Sequence, residues 1–147
     1  MLGKSVLVHM KLIDSTKMIN RRLALARRAA MLSTHPEQRH GALVVKGGSI
    51  ISVGCNHCDF SKHAGLSRDY NEYSIGSLHA EISALRGLSK DVTQGSTVYV
   101  VRIGKSDGLF RISAPCAMCV RALYNAGVKR VIFSVDAARI GMMTPKG

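Results

Sequence analysis

Two short segments constrain this chain more than anything else in it: "HAE" at 79–81 and "PCAMC" at 115–119. Each stands at the head of an apolar run with helical spacing. Cys116 and Cys119, three apart, share one face of a helix's first turn, and Pro115 suits a helix start because its missing N–H costs nothing there. The positive end of the helix dipole favours thiolates at that point even before a cation arrives. His79 and Glu81, two apart, would point nearly opposite ways inside a helix. If His79 instead holds the opening position, its backbone need not be helical, and both side chains reach one place. The chain must then fold so that two helix starts lie side by side.

Two thiolates and one imidazole make three metal ligands and leave a fourth position open. That is the pattern of a catalytic zinc, whereas a structural zinc is closed by four protein ligands. Glu81 would then reach the water at the fourth position. The alternative is a structural zinc held by all four cysteines, Cys55, Cys58, Cys116 and Cys119, which leaves His79 and Glu81 without a role.

The rest of the sequence sets bounds. At 147 residues and 46% hydrophobic, the chain suits one compact domain over 1–147, with residues 1–12 as a flexible N-terminal extension. No apolar run approaches the ~20 residues of a membrane span, so no membrane partner is expected. No secretory pattern opens the chain, and "MINRRLALARRAAML" reads as an amphipathic first helix rather than a transit peptide. A cytoplasmic location is therefore expected, and the two C-x-x-C pairs read as metal-binding rather than disulfide-forming. The net charge of +12 favours anionic partners, whether nucleotide phosphates or nucleic acid. No RNP-like or zinc-finger motif turns that charge into nucleic-acid specificity.

Hydrophobic periodicity predicts a helix over 12–32, strands at 42–46 and 49–54 joined at Gly47-Gly48, and a helix over about 79–90. A strand at 96–103, a helix from Pro115 or Cys116 to Ala126 stopped by Gly127, and the strand "KRVIFSV" follow, with "RIGMM" as a candidate edge strand. Strands alternating with helices in the second half imply an α/β fold with parallel pairing and helices on both sheet faces. The aperiodic segment 56–77, rich in Gly, Ser, Asn and Asp, reads as a functional loop.

"HAE" followed by "PCAMC" matches the H-x-E…P-C-x-x-C signature of zinc-dependent nucleobase deaminases. Over roughly residues 15–135 the chain resembles the cytidine deaminase-like superfamily. "RHGALVVKGGSIISVGCN", "HAEISAL" and "PCAMCVRALYNAGVKRVIFS" look most like its deoxycytidylate deaminase group, viral relatives included, while "PCAMC" is also close to tRNA adenosine and guanine deaminases. The resemblance implies a three-layer α/β/α fold with a mixed sheet, a catalytic zinc on His79, Cys116 and Cys119, and Glu81 as the proton carrier. It also implies that Asn56, after the second strand, contacts the sugar, and that the Ala80 backbone and the carbonyls of Ser113 or Ala114 hold the base edge. The Cys116 backbone N–H is a further donor. Cys55, Cys58, His57 and His63 are candidates for a second, structural zinc, as in some viral relatives; a buried Cys55 at a strand end is the plainer reading. A homo-oligomer is expected, although the chain stops soon after "VIFSV", where the family's fifth strand and last helix would come.

Substrate choice is expected in the 57–77 loop. There Phe60, Tyr70 and Tyr73 are candidates for stacking on a base, and Lys62 and Arg68 for meeting phosphate; packing the loop onto the body is the competing role. The leading expectation is conversion of a cytosine nucleotide, dCMP or CMP, to the uracil nucleotide with release of ammonia. A polynucleotide deaminase acting on tRNA or single-stranded DNA is the second reading, kept open by the charge. A non-catalytic, zinc-stabilised nucleic-acid-binding protein is the third, and Glu81 argues against it.

Overall fold

A computed structural model describes residues 10–35, 37–57 and 79–146. The elements run β1 (Lys11–Ile13), α1 (Lys17–Ala30), β2 (Arg39–Lys46), β3 (Ser49–Cys55), α2 (Ala80–Leu85) and α3 (Lys90–Thr93). They continue with β4 (Thr97–Ile103), β5 (Phe110–Arg111), α4 (Ala117–Asn125), β6 (Arg130–Ser134) and β7 (Ile140–Met143). One seven-stranded sheet has the order β1-β7-β6-β4-β2-β3, with β5 pairing the end of β4. Only β4 and β6 are parallel; all other pairs are antiparallel. The parallel pairing expected from the alternating pattern is thus confined to one pair, and the sheet is mixed.

Strand alternation sorts the interior into two layers. Ala42, Val44, Val98, Val100, Val131, Phe133 and Met143 face α2 and α4, packing with Ala80, Ile82, Cys119 and Leu123. Leu43, Val45, Tyr99, Val101, Ile103, Ile132 and Ile140 face α1, packing with Leu23, Ala26 and Ala30. A sheet covered on both faces needs continuous apolar strands, which is why "ALVV" and "VYVV" carry no polar alternation.

Two glycines let helices approach the sheet backbone. A Cβ on Gly41 would fall on the Ala26 carbonyl oxygen and 2.7 Å from the Ala30 nitrogen in α1. A Cβ on Gly54 would sit 2.5 Å from the Ala84 nitrogen and 2.9 Å from the Ala80 oxygen in α2. The β2–β3 hairpin closes as expected on Gly47 and Gly48, whose φ angles of 58° and 83° make the left-handed two-residue turn that suits strand twist.

Four expectations change. The helix predicted over 12–32 spans only Lys17–Ala30, because Thr16 caps it by accepting the Ile19 N–H at 3.1 Å. Leu12, counted into the helical stripe, lies in β1 and is 60% exposed, so the extension expected over 1–12 overlaps a strand. The helix predicted over 79–90 is two pieces: α2 ends before Gly87, whose φ is 83°, and α3 starts anew after Ser89. "RIGMM" does form a strand, but β7 is interior, because β1 covers it and takes the edge.

Candidate active site

α2 and α4 begin beside each other. His79 is the N-cap of α2 with extended backbone, φ −70° and ψ 150°, as the spacing argument requires. Cys116 is the N-cap of α4, φ −71° and ψ 169°, which puts Cys119 in the first turn. Gly127, with φ 76°, ends α4 where the sequence predicts. Neither side chain makes a capping hydrogen bond, and both reach a common centre.

At that centre, His79 Nδ1 lies 3.7 Å from Cys116 Sγ and 3.3 Å from Cys119 Sγ. All three donor atoms fall within 4.8 Å of one another. Tetrahedral zinc with ordinary Zn–S and Zn–N lengths separates a sulfur and a nitrogen ligand by about 3.5 Å. The donor set fits zinc in chemistry and spacing, and three donors leave one position open. Among the described residues no other His, Cys, Asp or Glu group meets the spacing of a metal site. The all-cysteine alternative fails on placement, since Cys55 lies outside this cluster; Cys58 and His63 lie outside the described residues.

Glu81 completes the centre. It is 4% exposed, and burial pushes its carboxyl above the usual carboxylate range. The neighbouring His79 charge and a hydrogen bond with Cys119 act the other way. Hydrogen bonding from Cys119, and then from His79, holds the exposed Cys116 thiol down at about 4. Cys119, bonded to Cys116 and buried, is pushed well up, and His79 is raised by its own hydrogen bond with Cys116. The cluster is therefore tightly coupled and ready to exchange protons for a cation.

The other candidates fall differently. Asn56 is 5% exposed, and its amide ties the strand ends together: Oδ1 accepts from His40 N at 2.9 Å and Nδ2 donates to Gln38 O at 2.6 Å. Asn56→Ala would remove both bonds to these part-buried backbone groups, at about 1–3 kcal/mol in all. Urea unfolding of the zinc-loaded variant should show a loss of that size, separate from any effect on substrate. Ala80 is fully buried in the core beside Cys119. Ser113 bonds Val100 O and Ser134 through its hydroxyl, so its side chain is structural and only its carbonyl is left for a base edge. Ala114 is half-buried against the same core. Cys55 is buried and has His57 Nε2 3.6 Å from its sulfur, and burial pushes its thiol up. Phe60, Lys62, Arg68, Tyr70 and Tyr73 lie outside the described residues.

The periodicity reading overlooked His40 and Arg102. Alternation along "RHGALVV" puts His40 on the face of Ala42 and Val44, the face of the metal cluster, and this was the available signal. Burial first, then the charges of Arg102, His79 and His35, lower His40 to about 4, so the imidazole is neutral.

The sequence matches, over residues 14–135, the family described as the cytidine and deoxycytidylate deaminase zinc-binding region. No curated protein sequence matches the chain. Among solved structures, the dCMP deaminase of cyanophage S-TIM5 in apo form aligns with a TM-score of 0.57 at 22% identity, covering 82% of this chain and 84% of the other. The same enzyme has been solved with dCMP and dUMP, again with a TM-score of 0.57 at 22% identity, covering 82% and 83% of the two chains. A cytidine deaminase from Burkholderia pseudomallei aligns with a TM-score of 0.61 at 18% identity, covering 89% and 94%. At these identities the likeness is one of fold.

Proposed function

The chain belongs to the cytidine and deoxycytidylate deaminase family and is a zinc-dependent deaminase, and from that premise we propose that it converts a cytosine nucleotide of the dCMP or CMP type to the uracil nucleotide. The observation that carries the proposal is the buried carboxyl of Glu81 beside a three-donor metal cluster with one open position.

In this reading His79, Cys116 and Cys119 hold the zinc. When bound, the ion acts as a Lewis acid that brings the pKa of a water toward ~7. Glu81 accepts a proton from the attacking water and delivers it to the ring nitrogen beside the reacting carbon. It then takes the proton of the hydroxyl now on that carbon and gives it to the amine, which leaves as ammonia, so that it acts as base and acid in turn. Burial raises its pKa, which makes the carboxylate a stronger base toward the water's proton. The Cys116 N–H, at the head of α4, would donate to oxygen on the reacting carbon. The β3 edge, with Ile50 and Val53 exposed, supports the homo-oligomer that belongs to the same proposal, as does the cytoplasmic location.

A second reading, a polynucleotide deaminase, is favoured by one observation. Lys17, Arg21 and Arg28 are exposed on α1, whereas Arg22 bonds Tyr99 and Arg27 bonds Gly108. Ammonia release by zinc-loaded protein against dCMP, CMP, dCTP, deoxycytidine, guanine, a cytosine-containing single strand and a tRNA anticodon stem tests both. Turnover of dCMP or CMP is the expected result. Activity confined to a strand or tRNA, falling steeply with salt, would replace it with the second reading. Silence across the panel with zinc bound would overturn both.

No helix among the described residues is long and apolar enough to cross a membrane.

A further inference from the structure

Three basic residues stand in register across β2, β4 and β5: His40 opposite Arg102, and Arg102 opposite Arg111. Directly paired residues share a sheet face, and Arg102 falls on the face of Val98 and Val100, which α2 and α4 cover. The row therefore lies on the same side of the sheet as His79 and Cys119. It also lies at the carboxyl end of β4, where open α/β sheets form their ligand crevices. His40 lies within electrostatic reach of both His79 and Cys116.

Charge in this row is unevenly matched. Arg111 bonds Asp107 at 2.8 Å. Among the described residues no carboxylate pairs with Arg102, and its Nε is sealed from solvent without a hydrogen-bond partner. His40 Nε2 is sealed and unpartnered as well. Partly burying a guanidinium and an imidazole without partners is costly unless a ligand completes them. The backbone beneath is pinned: Ser134 Oγ accepts the Arg102 N–H at 3.2 Å and donates to Arg111 O at 2.7 Å. The turn before β2 is held by His35, whose Nδ1 accepts the N–H groups of Glu37 and Gln38.

We infer that Arg102, with His40 beside it, holds the phosphate of the substrate, so that this row selects a nucleotide over a nucleoside. The inference rests on the proposed cytosine deamination and adds to it the group that reads the phosphate. A guanidinium fork matches a phosphate monoester in charge and geometry. A neutral imidazole adds a hydrogen bond without adding to the repulsion around Arg102. The substrate would then lie with its base at Glu81 and its phosphate over the ends of β2 and β4.

The test uses zinc-loaded full-length protein with Arg102→Gln, Arg102→Lys and His40→Gln, each checked for zinc content and folding. Loss of a charge-assisted hydrogen bond should lower the ratio of kcat/KM for dCMP to that for deoxycytidine by about 10- to 100-fold in Arg102→Gln, chiefly through KM. Arg102→Lys should recover part of that ratio, and His40→Gln should lose less. A structural role would depress both substrates together and leave the ratio standing, which overturns the inference. Calorimetry with dUMP and deoxyuridine, and with inorganic phosphate competing against dUMP, reads the same pocket without turnover. Wild type that deaminates dCMP while Arg102→Gln keeps its preference sinks the phosphate assignment and spares the reaction. Wild type that turns over no cytosine nucleotide, yet binds dUMP and phosphate through Arg102, sinks the reaction and spares the assignment. Wild type that neither prefers dCMP nor binds phosphate overturns the inference.

Discussion

Glu81→Gln should bind a full equivalent of zinc, fold as the parent does, and lose deamination by about 10⁴-fold, the upper range for a positioned acid–base group. The argument is steric as well as chemical. Glu81 is 4% exposed, so glutamine, nearly identical in shape, preserves the packing while removing the only function the mechanism asks of it. The metal donors are His79, Cys116 and Cys119, and none is altered. The variant should also escape the cost of burying a carboxylate charge and be at least as stable to urea as the parent. Metal analysis, a urea titration and ammonia release on dCMP check the three parts. Residual activity within about tenfold of the parent would remove Glu81 from the proton path, since even a modest general base contributes ~10²-fold.

Gly41→Ala should produce the largest loss of stability among single-methyl changes. The added Cβ would meet backbone atoms, the Ala26 carbonyl oxygen and the Ala30 nitrogen, and neither can rotate away. α1 would have to lift from β2, unpacking Leu23, Ala26 and Ala30 from Leu43 and Val45. Overpacking of this kind costs about 3 kcal/mol, and more where backbone must move. Gly54→Ala makes the parallel change on the opposite face, against the Ala84 nitrogen and Ala80 oxygen. The pair separates two consequences. Gly41→Ala should lower the urea midpoint with the metal cluster intact in the molecules that remain folded. Gly54→Ala should also weaken zinc retention, because α2 carries His79 at its head. Equal zinc affinity in both variants would show that α2 tolerates displacement.

The sequence was most informative where backbone geometry and chemistry coincided. The requirement that His79 and Glu81 serve one centre placed His79 at a helix N-cap, which is where it sits, with Cys116 and Cys119 facing it. The Gly47-Gly48 hairpin and the Gly127 helix end were legible for a similar reason: left-handed φ strongly favours glycine. What escaped depended on partners distant in the chain. β1 is three residues long and exists through pairing with β7, so local spacing merged it into the following helix. The mixed sheet was legible through the resemblance alone, because alternation of elements does not fix strand direction. Asn56 was assigned to substrate by resemblance, yet its amide closes the β2 and β3 ends, a role visible only once Gln38 and His40 are brought to it. His40 and Arg102 were passed over because each alone is an unremarkable basic residue, and only their cross-strand register makes them a pair.

The N-cap arrangement has a further consequence for how the protein tolerates change. α1 starts in the ordinary way, with the Thr16 hydroxyl accepting its own helix's Ile19 N–H. α2 and α4 start on residues whose side chains make no such cap and meet each other instead. These two helix starts are therefore joined through a shared centre rather than secured one at a time. Replacing His79 or Cys116 with a serine or aspartate would give one helix a better local start and deprive its neighbour of a tether. Local improvement and joint order are opposed at these two positions, so neither can be optimised alone.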